Sequence, residues 1–410
     1  MTATSVEFDP MNPEFLRDPY PAFRRLRQDA PVHYTDFAGG FWLVTRHVDL
    51  KTIVRDKSLR NGRDESGHFA KLAGGPAERF YPSILNQLDG ESHARLRKVG
   101  EKALARRTLV QTIGPKLLEF AYDAVNGVLA AGEVDAVADF AHEIPLKAFC
   151  GLLDLPQADR HMLYGWIGDF FGIFVPDALD EDGIQRTHQA VQNFIDYLSP
   201  VVQERRRNPG DDVLSMFVMT EADGERLTGD EVMTLATQTM AGGFDTSSAM
   251  IAAGIHCLAN APDQMARLRQ DPDGLAAAAV EEVMRWESPV QMTPRYAAAD
   301  TEIAGTTIPA GAAIGCLVGS ANRDETVFNE PDRFLVDRTE LHDRSTAPLH
   351  FGGGPHFCIG NQLARLEGEA AFSALARRCA DIEPTGESQR AITTMVRRGF
   401  AKVPVRFVAG

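Results

Sequence analysis

One cysteine in a glycine-rich segment is the strongest chemical signal of the sequence. Residues 350–360 read His-Phe-Gly-Gly-Gly-Pro-His-Phe-Cys-Ile-Gly, and a helical pattern follows from Asn361. At a helix N-terminus, free backbone N–H groups and the positive end of the helix dipole favour a thiolate over a thiol. Since a thiolate placed there is a nucleophile or a metal ligand, we select Cys358 as the leading functional residue.

Three kinds of site compete for this cysteine. A zinc site needs about four Cys or His ligands, and the helix after Cys358 offers none before Cys379. A nucleophilic cysteine needs a base, which His350 or His356 could supply. A haem held by an axial thiolate needs one cysteine only, and would explain the glycines as room for a porphyrin. We interpret the remaining cysteines as buried structural thiols: Cys150, Cys257, Cys316 and Cys379.

A second unusual segment is the helical stretch of residues 231–261. After its first residue the only acid is Asp245, yet the stretch is rich in Thr, Ser, Gln and Gly. Such a helix must be buried along most of its length, but it is too polar for lipid. Gly242 and Gly243 cost about 1 kcal/mol each relative to Ala in mid-helix, and they permit another body to approach closely. Asp245 and Thr246 could relay protons there, although a helix-packing site with an exposed Asp explains the same residues about equally well.

In these segments the chain resembles the cytochrome P450 family. Matches to the haem-binding signature of that family are Phe351, Gly354, His356, Cys358, Gly360, Ala364 and Arg365. Asp245-Thr246 resembles the acid–alcohol motif of its long central helix, and residues 282–285 resemble its E-x-x-R helix. Four other segments share the E-x-x-R spacing, so this match counts only because residues 331–334, Pro-Asp-Arg-Phe, follow in the family's order. The resemblance extends from about residue 10 to the end of the chain.

The resemblance implies a cofactor and the residues around it. The expected cofactor is heme b (iron protoporphyrin IX), with Cys358 as the axial iron ligand. The cofactor-binding residues expected near the two propionates are His93, Arg97, Arg295 and His356. A buried charge network that holds the cysteine loop is expected to consist of Glu282, Arg285 and Arg333.

The reaction that the resemblance implies is that of a monooxygenase. One atom of O2 enters a C–H bond of the substrate and the other leaves as water, with Asp245 and Thr246 as the catalytic residues that deliver protons. The Cys358 thiolate favours O–O cleavage. The acid–alcohol pair argues against a dedicated peroxygenase. The alternative, a non-enzymatic haem-thiolate sensor, would explain Cys358 but would leave Asp245 and Thr246 without a role.

The substrate pocket is expected, by family position, to be apolar and partly aromatic. Its predicted wall consists of Phe170, Phe174, Gln238, Ala241, Phe244, Val290, Thr293 and Met395. The favoured substrate is a small hydrophobic, aromatic compound, ahead of terpenoids and fatty acids. The expected reaction is hydroxylation or O-dealkylation. Arg63, His68 or Lys71 could meet a substrate carboxylate, although cations in loops usually face water.

Electrons must come from a partner, because no flavin or iron–sulfur motif is visible. The resemblance implies a ferredoxin with an NAD(P)H-dependent ferredoxin reductase. The basic residues between His93 and Leu109 are Arg95, Arg97, Lys98, Lys102, Arg106 and Arg107, against one acid, Glu101. Because the whole chain carries a net charge of −15, this helix is a candidate dock for an acidic ferredoxin, while nucleic acid is a poor partner.

The elements that must position these residues are mostly helical. The 410 residues are 44% hydrophobic and 24% charged, which is typical of a globular protein. Periodicity predicts helices over residues 93–110, 112–131, 157–174, 184–207, 231–261, 275–286 and 359–380. A hairpin over residues 32–45, a β-rich stretch over 296–314 and an irregular loop over 60–88 complete the pattern. We predict a mainly α fold with small β-sheets (α+β), the cytochrome P450 fold, as one domain over residues 1–410 with the long central helix over the haem.

The compartment is predicted from what the sequence lacks. Its five cysteines form no C-x-x-C pair, its first residues carry neither a basic segment nor an apolar run, and no stretch of about 18 apolar residues occurs. We therefore expect a soluble, cytoplasmic protein that does not bind a membrane.

Overall fold

The computed structural model describes residues 8–62, 69–176, 179–222, 224–391 and 395–410. The helices are α1 Pro13–Arg17, α2 Tyr20–Asp29, α3 His47–Ile53, α4 Gly90–Ala103, α5 Arg106–Thr112, α6 Gly114–Ala131, α7 Glu143–Leu152, α8 Arg160–Phe170, α9 Glu181–Arg207, α10 Val213–Met219, α11 Gly229–Asn260, α12 Pro262–Gln270, α13 Pro272–Trp286, α14 Val318–Ala321 and α15 Asn361–Arg378. The strands are β1 Val32–Thr35, β2 Phe41–Val44, β3 Leu59–Arg60, β4 Glu133–Asp135, β5 Glu221–Ala222, β6 Glu225–Arg226, β7 Thr293–Ala297, β8 Thr301–Ile303, β9 Thr306–Ile308, β10 Ala313–Cys316, β11 Cys379–Pro384, β12 Gln389–Arg390, β13 Phe400–Lys402 and β14 Pro404–Ala409. The predicted mainly α class with small sheets is confirmed.

The long central helix is α11, and it forms where the sequence predicts it. Thr228 and Glu231 make a reciprocal capping box at its N-terminus, which satisfies two backbone N–H groups. Most of its residues are buried, because α7, α9, α13, α15 and β11 all pack against it. A helix so enclosed needs no charged face, which explains its composition.

Two boundaries differ from the sequence pattern. Pro262 and Pro272, which obscured the periodicity, each stand in the first turn of a helix, where a proline costs no hydrogen bond. The predicted helix over residues 93–110 is two helices, because the backbone at Ala105 is extended (ψ 141°). No glycine or proline marks this break in the sequence, so periodicity could not locate it.

The largest sheet joins the N-terminal hairpin to the strand that carries Arg295. Its strand order is β1-β2-β10-β7-β3, with β10 parallel to β2 and antiparallel to β7. The predicted hairpin of β1 and β2 is confirmed. A second sheet, β11-β14-β4, lies beside the helices.

The loop before α4 is irregular, as predicted, over its described part. Residues 69–88 contain single turns of 3-10 helix and no longer element. The predicted carboxylate-binding residues Arg63 and His68 lie outside the described residues. Within the described ranges, no helix combines the length and the apolar character needed to cross a membrane.

Candidate active site

The cysteine loop is held on both sides of Cys358. The backbone N–H of Cys358 donates to the carbonyl of Phe351 at 2.8 Å. Its carbonyl accepts a hydrogen bond of 2.6 Å from the side-chain amide of Asn361, the first residue of α15. Residue 358 as a whole is partly exposed, whereas the other four cysteines are buried. The loop therefore presents one thiol in a fixed backbone conformation.

The glycines of this loop serve its packing. The backbone of Gly354 has φ +63°, and a Cβ there would lie 2.1 Å from the carbonyl oxygen of Val54. A Cβ on Gly353 would lie 2.5 Å from Cγ2 of Val54. The interpretation of these two glycines as room for a porphyrin is therefore wrong, because they allow the loop to approach the end of α3.

The protonation of Cys358 also differs from the expectation for a helix N-terminus. Burial raises the pKa of the Cys358 thiol, and the Gly360 N–H with the guanidinium groups of Arg97 and Arg365 lowers it only in part, so the net pKa is raised. The free chain thus favours the thiol. Binding of a metal cation at the sulfur would favour the thiolate.

A charged cluster that sequence reasoning missed supports the loop from α13. Glu281 accepts a hydrogen bond of 2.6 Å from Nε of Arg365 and lies 3.3 Å from Nε2 of His350. Burial raises the pKa of Glu281, but hydrogen bonds and charge from His350 and Arg365 outweigh it and leave a pKa of about 2. Arg365 also donates to the side-chain oxygen of Asn361 at 2.6 Å. A continuous polar chain therefore links α13 to the carbonyl of Cys358.

The E-x-x-R residues form a buried network, but its third member differs from the prediction. Nε of Arg285 donates to Oε2 of Glu282 at 2.6 Å, and Nε of Arg338 lies 3.0 Å from the same oxygen. All three side chains are at most 1% exposed. The prediction of Arg333 is wrong, because its side chain is 59% exposed and pairs with Glu330. Only the backbone carbonyl of Arg333 takes part, as an acceptor for Arg285 and Arg338.

Two of the predicted propionate-binding residues lie against each other. The rings of His93 and His356 are 4.1 Å apart between centroids. Nε2 of His93 is buried and has no hydrogen-bond partner within the described ranges. Burial, His356 and Arg97 lower the pKa of His93 to about 4, so this ring is neutral at pH 7. In the tautomer that carries its proton on Nε2, this ring would donate a hydrogen bond to an anionic ligand bound beside it.

The other two predicted propionate-binding residues, Arg97 and Arg295, lie in the region of the cysteine loop and His356. Arg97 donates to the carbonyl of Phe357 at 2.7 Å, directly before the cysteine. Arg295 is buried and donates to the side-chain oxygen of Asn61 at 2.5 Å. Asp89, which sequence reasoning missed, connects the groups, since it accepts from the backbone N–H of Asn61 at 3.0 Å.

Asp89 also orients His356, whose Nε2 lies 2.9 Å from its carboxylate. Burial raises the pKa of Asp89, but the hydrogen bonds from His356 and the Gly62 N–H outweigh it and lower the pKa overall. Nothing in the sequence pattern distinguishes this acid from other surface acids.

One face of α11 is open in the middle of an otherwise buried helix. Gln238, Gly242, Thr246 and Ala249 recur at helical spacing and are all partly or fully exposed. A Cβ on Gly242 would have no atom within 4 Å. The open space begins at this glycine, and a bound group can lie directly against the helix backbone.

The neighbouring glycine, Gly243, has a different structural role. A Cβ on Gly243 would lie 2.1 Å from the ring of Phe149 on α7. Gly243 therefore permits close helix packing on the buried side. The two readings of this motif, a packing site and an approach site for another body, each describe one of the two glycines.

The acid–alcohol pair lies beside the open face. The hydroxyl of Thr246 donates to the carbonyl of Gly242 at 2.6 Å, a local bond that competes with the helix ladder. Asp245 forms an ion pair with Arg397, and both side chains are partly exposed. The two catalytic candidates therefore contact the open space rather than the core.

Two predicted pocket residues lie in the core. The ring of Phe244 is 1% exposed and packs on Tyr164, with centroids 4.5 Å apart, on the side of α11 away from Gly242. Phe170 is fully buried between Phe174 and Phe194. Their assignment to the pocket wall is wrong, because periodicity does not tell which face of a buried helix meets a cavity.

The remaining pocket candidates are divided between several elements. Gln238 donates to the carbonyl of Ser83 and accepts from the Leu85 N–H, so it fixes the loop before α4. Ala241 is buried, and Met395 packs with the N-terminal helices. Phe174, Val290 and Thr293 are partly exposed, and Oγ1 of Thr293 has no partner within the described ranges.

The residues present fit a haem between the cysteine loop and α11. A Cβ on Gly100 of α4 would lie 2.4 Å from Ile359, beside the cysteine, and 3.9 Å from Leu235 of α11, so loop and helix are neighbours. The unpartnered Nε2 of His93 is a possible contact for an anionic group, and the open backbone at Gly242 leaves room for a group against α11. A single available cysteine completes the set of donors.

Comparisons with known proteins identify the family. The family model for cytochrome P450 matches residues 119–407. Among curated proteins, 6-deoxyerythronolide B hydroxylase of Saccharopolyspora erythraea is 32% identical over 405 residues, 96% of each chain. Vitamin D(3) 25-hydroxylase of Pseudonocardia autotrophica is 33% identical over 380 residues, 92% of this chain and 90% of that protein. The crystal structure of CalO2 has a TM-score of 0.90 at 28% identity and covers 99% of this chain and 100% of its own. The chain therefore belongs to the cytochrome P450 family and has its fold.

Membership in the family establishes the class of activity and the cofactor. The protein is a monooxygenase of the bacterial type and binds heme b. The relatives are named as hydroxylases, and their names give no support to a non-enzymatic haem-thiolate sensor.

Proposed function

We propose that this protein inserts one atom of O2 into a C–H bond of a small hydrophobic substrate, aromatic compounds being favoured, by hydroxylation or O-dealkylation. The observation that carries the proposal is Thr246 on the open face of α11, with Asp245 next to it, in a helix whose neighbour is the loop that presents Cys358. When bound, heme b supplies the activation of O2. The chain supplies the ligand, the binding groups and the protons.

Cys358 is the proposed axial ligand, and His93, Arg97, Arg295 and His356 are the proposed propionate-binding residues. A neutral His93 contributes an N–H donor, whereas the two arginines contribute charge. Arg97 also holds the carbonyl of Phe357, so one side chain would bind a propionate and fix the ligand loop. This double contact ties cofactor binding to the position of the sulfur.

Thr246 and Asp245 are the proposed proton-delivery groups. The Thr246 hydroxyl donates its proton to Gly242, which leaves its oxygen free to accept a hydrogen bond from the open side. Rotation about χ1 reverses this role and turns the hydroxyl into a donor toward the open space. The Asp245 carboxylate, partly exposed on the same helix, can exchange protons with water and pass them to this hydroxyl.

The substrate class rests on the apolar side chains near the open face. Phe171, Phe174 and Met292 are partly exposed, and the Arg397 guanidinium lies 4.5 Å from the ring of Phe171. The relatives are named for 6-deoxyerythronolide B and vitamin D(3), so their names do not narrow the class. Lys71 donates to the carbonyl of Leu179, a contact that adds no support for a substrate carboxylate there.

The proposed electron donor is an acidic ferredoxin served by an NAD(P)H-dependent reductase. Of the basic residues predicted to bind it, Arg95 pairs with Glu231 and Arg106 pairs with Glu369. Lys102 and Arg107 are exposed, and no ion pair is formed by either among the described residues. The proposed dock therefore centres on Lys102 and Arg107, and Arg97 on the same helix as Lys102 contacts the cysteine loop.

We also propose that residues 1–410 form one haem-thiolate domain and that the protein is cytoplasmic. The largest of three hydrophobic core clusters in the described chain includes residues from Leu72 to Phe407, and its extent supports the single domain. Five unpaired cysteines support a reducing compartment.

Replacing Thr246 tests the proposed function. In Thr246→Ala, we expect heme content and the substrate-induced Soret shift to stay as in the wild type, while product formed per NADH falls about tenfold or more and peroxide accumulates. Thr246→Ser, which keeps the hydroxyl, is the control and should retain most of the coupling. Tight coupling of NADH use to product in Thr246→Ala would overturn the assignment.

A further inference from the structure

Between Val232 and Asn260 of α11, Asp245 is the only Asp, Glu, Lys or Arg. Within the described chain, one cation contacts its carboxylate. Arg397, which follows Met395 and Val396, contacts the Asp245 carboxylate with its guanidinium group. Both side chains are partly exposed, at 45% for Asp245 and 32% for Arg397. A carboxylate exposed to this extent would otherwise sample several rotamers in water. An ion pair with Arg397 would restrict this freedom.

Arg397 can hold Asp245 because its own backbone is anchored. In an extended segment, successive side chains point to opposite sides, and Arg398 accordingly pairs with the buried Glu287. The Arg398 N–H donates to the carbonyl of Pro289 at 2.9 Å. Arg398 also donates to the carbonyls of Leu16 and Arg17. The contacts of Arg398 with the core thus fix the backbone at residue 397.

Arg397 also contacts two elements of the proposed pocket. Its backbone bridges to Val290, and its guanidinium covers the ring of Phe171 at the end of α8. Asp245, Phe171 and Val290 come from three separate segments, and within the described chain Arg397 is in contact with all three. A substrate that contacts Phe171 or Val290 therefore acts on the side chain that holds the acid.

We propose that Arg397 is a positioning residue that fixes Asp245, the acid of the proton relay, against the wall of the substrate pocket. This inference rests on the proposed function, in which Asp245 delivers protons. It assigns to Arg397 a role in the rate of turnover that is separate from any contact with the substrate.

The test compares Arg397→Gln, Arg397→Lys, Asp245→Asn and the double variant Asp245→Asn with Arg397→Gln, all as heme-loaded protein. Arg406→Gln is the matched control, since Arg406 is exposed and pairs with Glu133 and Glu383, away from the site. Measurements are product formation at saturating substrate in H2O and D2O, the spectral dissociation constant of the substrate, and urea unfolding followed by circular dichroism.

We expect Arg397→Gln to lower kcat about tenfold with a larger solvent isotope effect and a dissociation constant changed less than about threefold. Arg397→Lys should recover most of kcat, because a cation remains. The double variant should be no slower than Asp245→Asn alone, since Arg397 acts through the acid. Arg406→Gln should match the wild type. In unfolding, the two substitutions should be coupled by about threefold in the equilibrium constant.

Two results would overturn the inference. One is an unchanged kcat in Arg397→Gln with a weaker dissociation constant, which would make Arg397 a substrate contact. The other is a multiplied loss in the double variant together with no coupling in unfolding. A wild type that forms no NADH-dependent product would refute the proposed function instead, and the unfolding cycle, which needs no turnover, would then decide whether Arg397 holds Asp245.

Discussion

The cysteine-loop side and the α11 side of the site differ in whether their buried polar groups have partners. Around the cysteine loop and its supports, Glu281, Glu282 and Glu287 each pair with one or two cations. Along α11 and the facing part of α15, buried polar atoms without a hydrogen-bond partner among the described residues are Oγ1 of Thr237, Oγ of Ser247 and Ser248, and both carboxyl oxygens of Glu367. On the thiol side these carboxylates are paired, and the ring nitrogens Nε2 of His93 and Nδ1 of His350 lack a partner within the described chain. On the α11 side, hydroxyl groups and a whole carboxyl group remain available for water, protons and substrate.

The largest effect should follow from removing the third member of the E-x-x-R network. Arg338→Met strands the buried carboxylate of Glu282 with one cation, and we expect a loss of about 3–5 kcal/mol in the free energy of unfolding. Arg333→Met should change it by less than about 0.5 kcal/mol, because that side chain faces solvent. Urea unfolding of both variants separates the assignments. Equal losses would contradict the network described above.

The second effect concerns Glu367, the unpaired acid near α11. Burial raises the pKa of Glu367 to about 8, and the nearby Ser247 hydroxyl offsets only part of this. The folded chain keeps the proton while the unfolded chain loses it above about pH 4.5, so stability falls as pH rises from about 5 to 8. Glu367→Gln should remove this slope and stabilise the protein at pH 8 by on the order of 2 kcal/mol. Unfolding curves at pH 5, 6.5 and 8 measure it; parallel pH profiles would refute the unpaired state.

Glu281 should show a smaller effect of the opposite sign. Its pKa of about 2 lies below the usual value, so its pairing with His350 and Arg365 stabilises the fold above about pH 4.5 and is lost as pH falls toward 2. Glu281→Gln should reduce stability at pH 7 by about 1 kcal/mol and flatten the profile below pH 4.5. Unfolding midpoints between pH 2.5 and 7 test this. A wild-type profile that is already flat in that range would contradict the cluster.

The sequence predicted the elements better than the contacts between them. Periodicity located α11, and the order of motifs located Cys358, Glu282 and Arg285, because these depend on local spacing. The prediction of Arg333 as the third member of the charge network was wrong. Two arginines five residues apart fit the same sequence pattern, and only the tertiary fold turns Arg338 inward. Long-range partners carry no local signal.

The same limit applies to the residues that sequence reasoning missed. Asp89, Glu281 and Arg397 gain their roles from groups on distant elements: His356, Arg365 and Asp245. Phe244 fits a helix face that periodicity defines, but whether that face meets a cavity or another helix depends on packing.

The smallest effect is expected at the proposed ferredoxin dock. Lys102→Gln with Arg107→Gln should slow reduction by an acidic ferredoxin about two- to fivefold at low salt, and the difference should shrink as salt screens the charges. Lys402→Gln, an exposed lysine on β13, is the control. Stopped-flow reduction at several ionic strengths measures the rates. A salt-independent rate would remove the electrostatic part of the proposal.

The central claim is that the cysteine loop delivers Cys358 as the axial ligand, and one spectrum tests it most directly. The purified protein, reduced with dithionite under carbon monoxide, should show a strongly red-shifted Soret band that is lost in Cys358→Ser. A band at the position typical of histidine ligation in the wild type, or an unchanged red-shifted band in Cys358→Ser, would contradict the account.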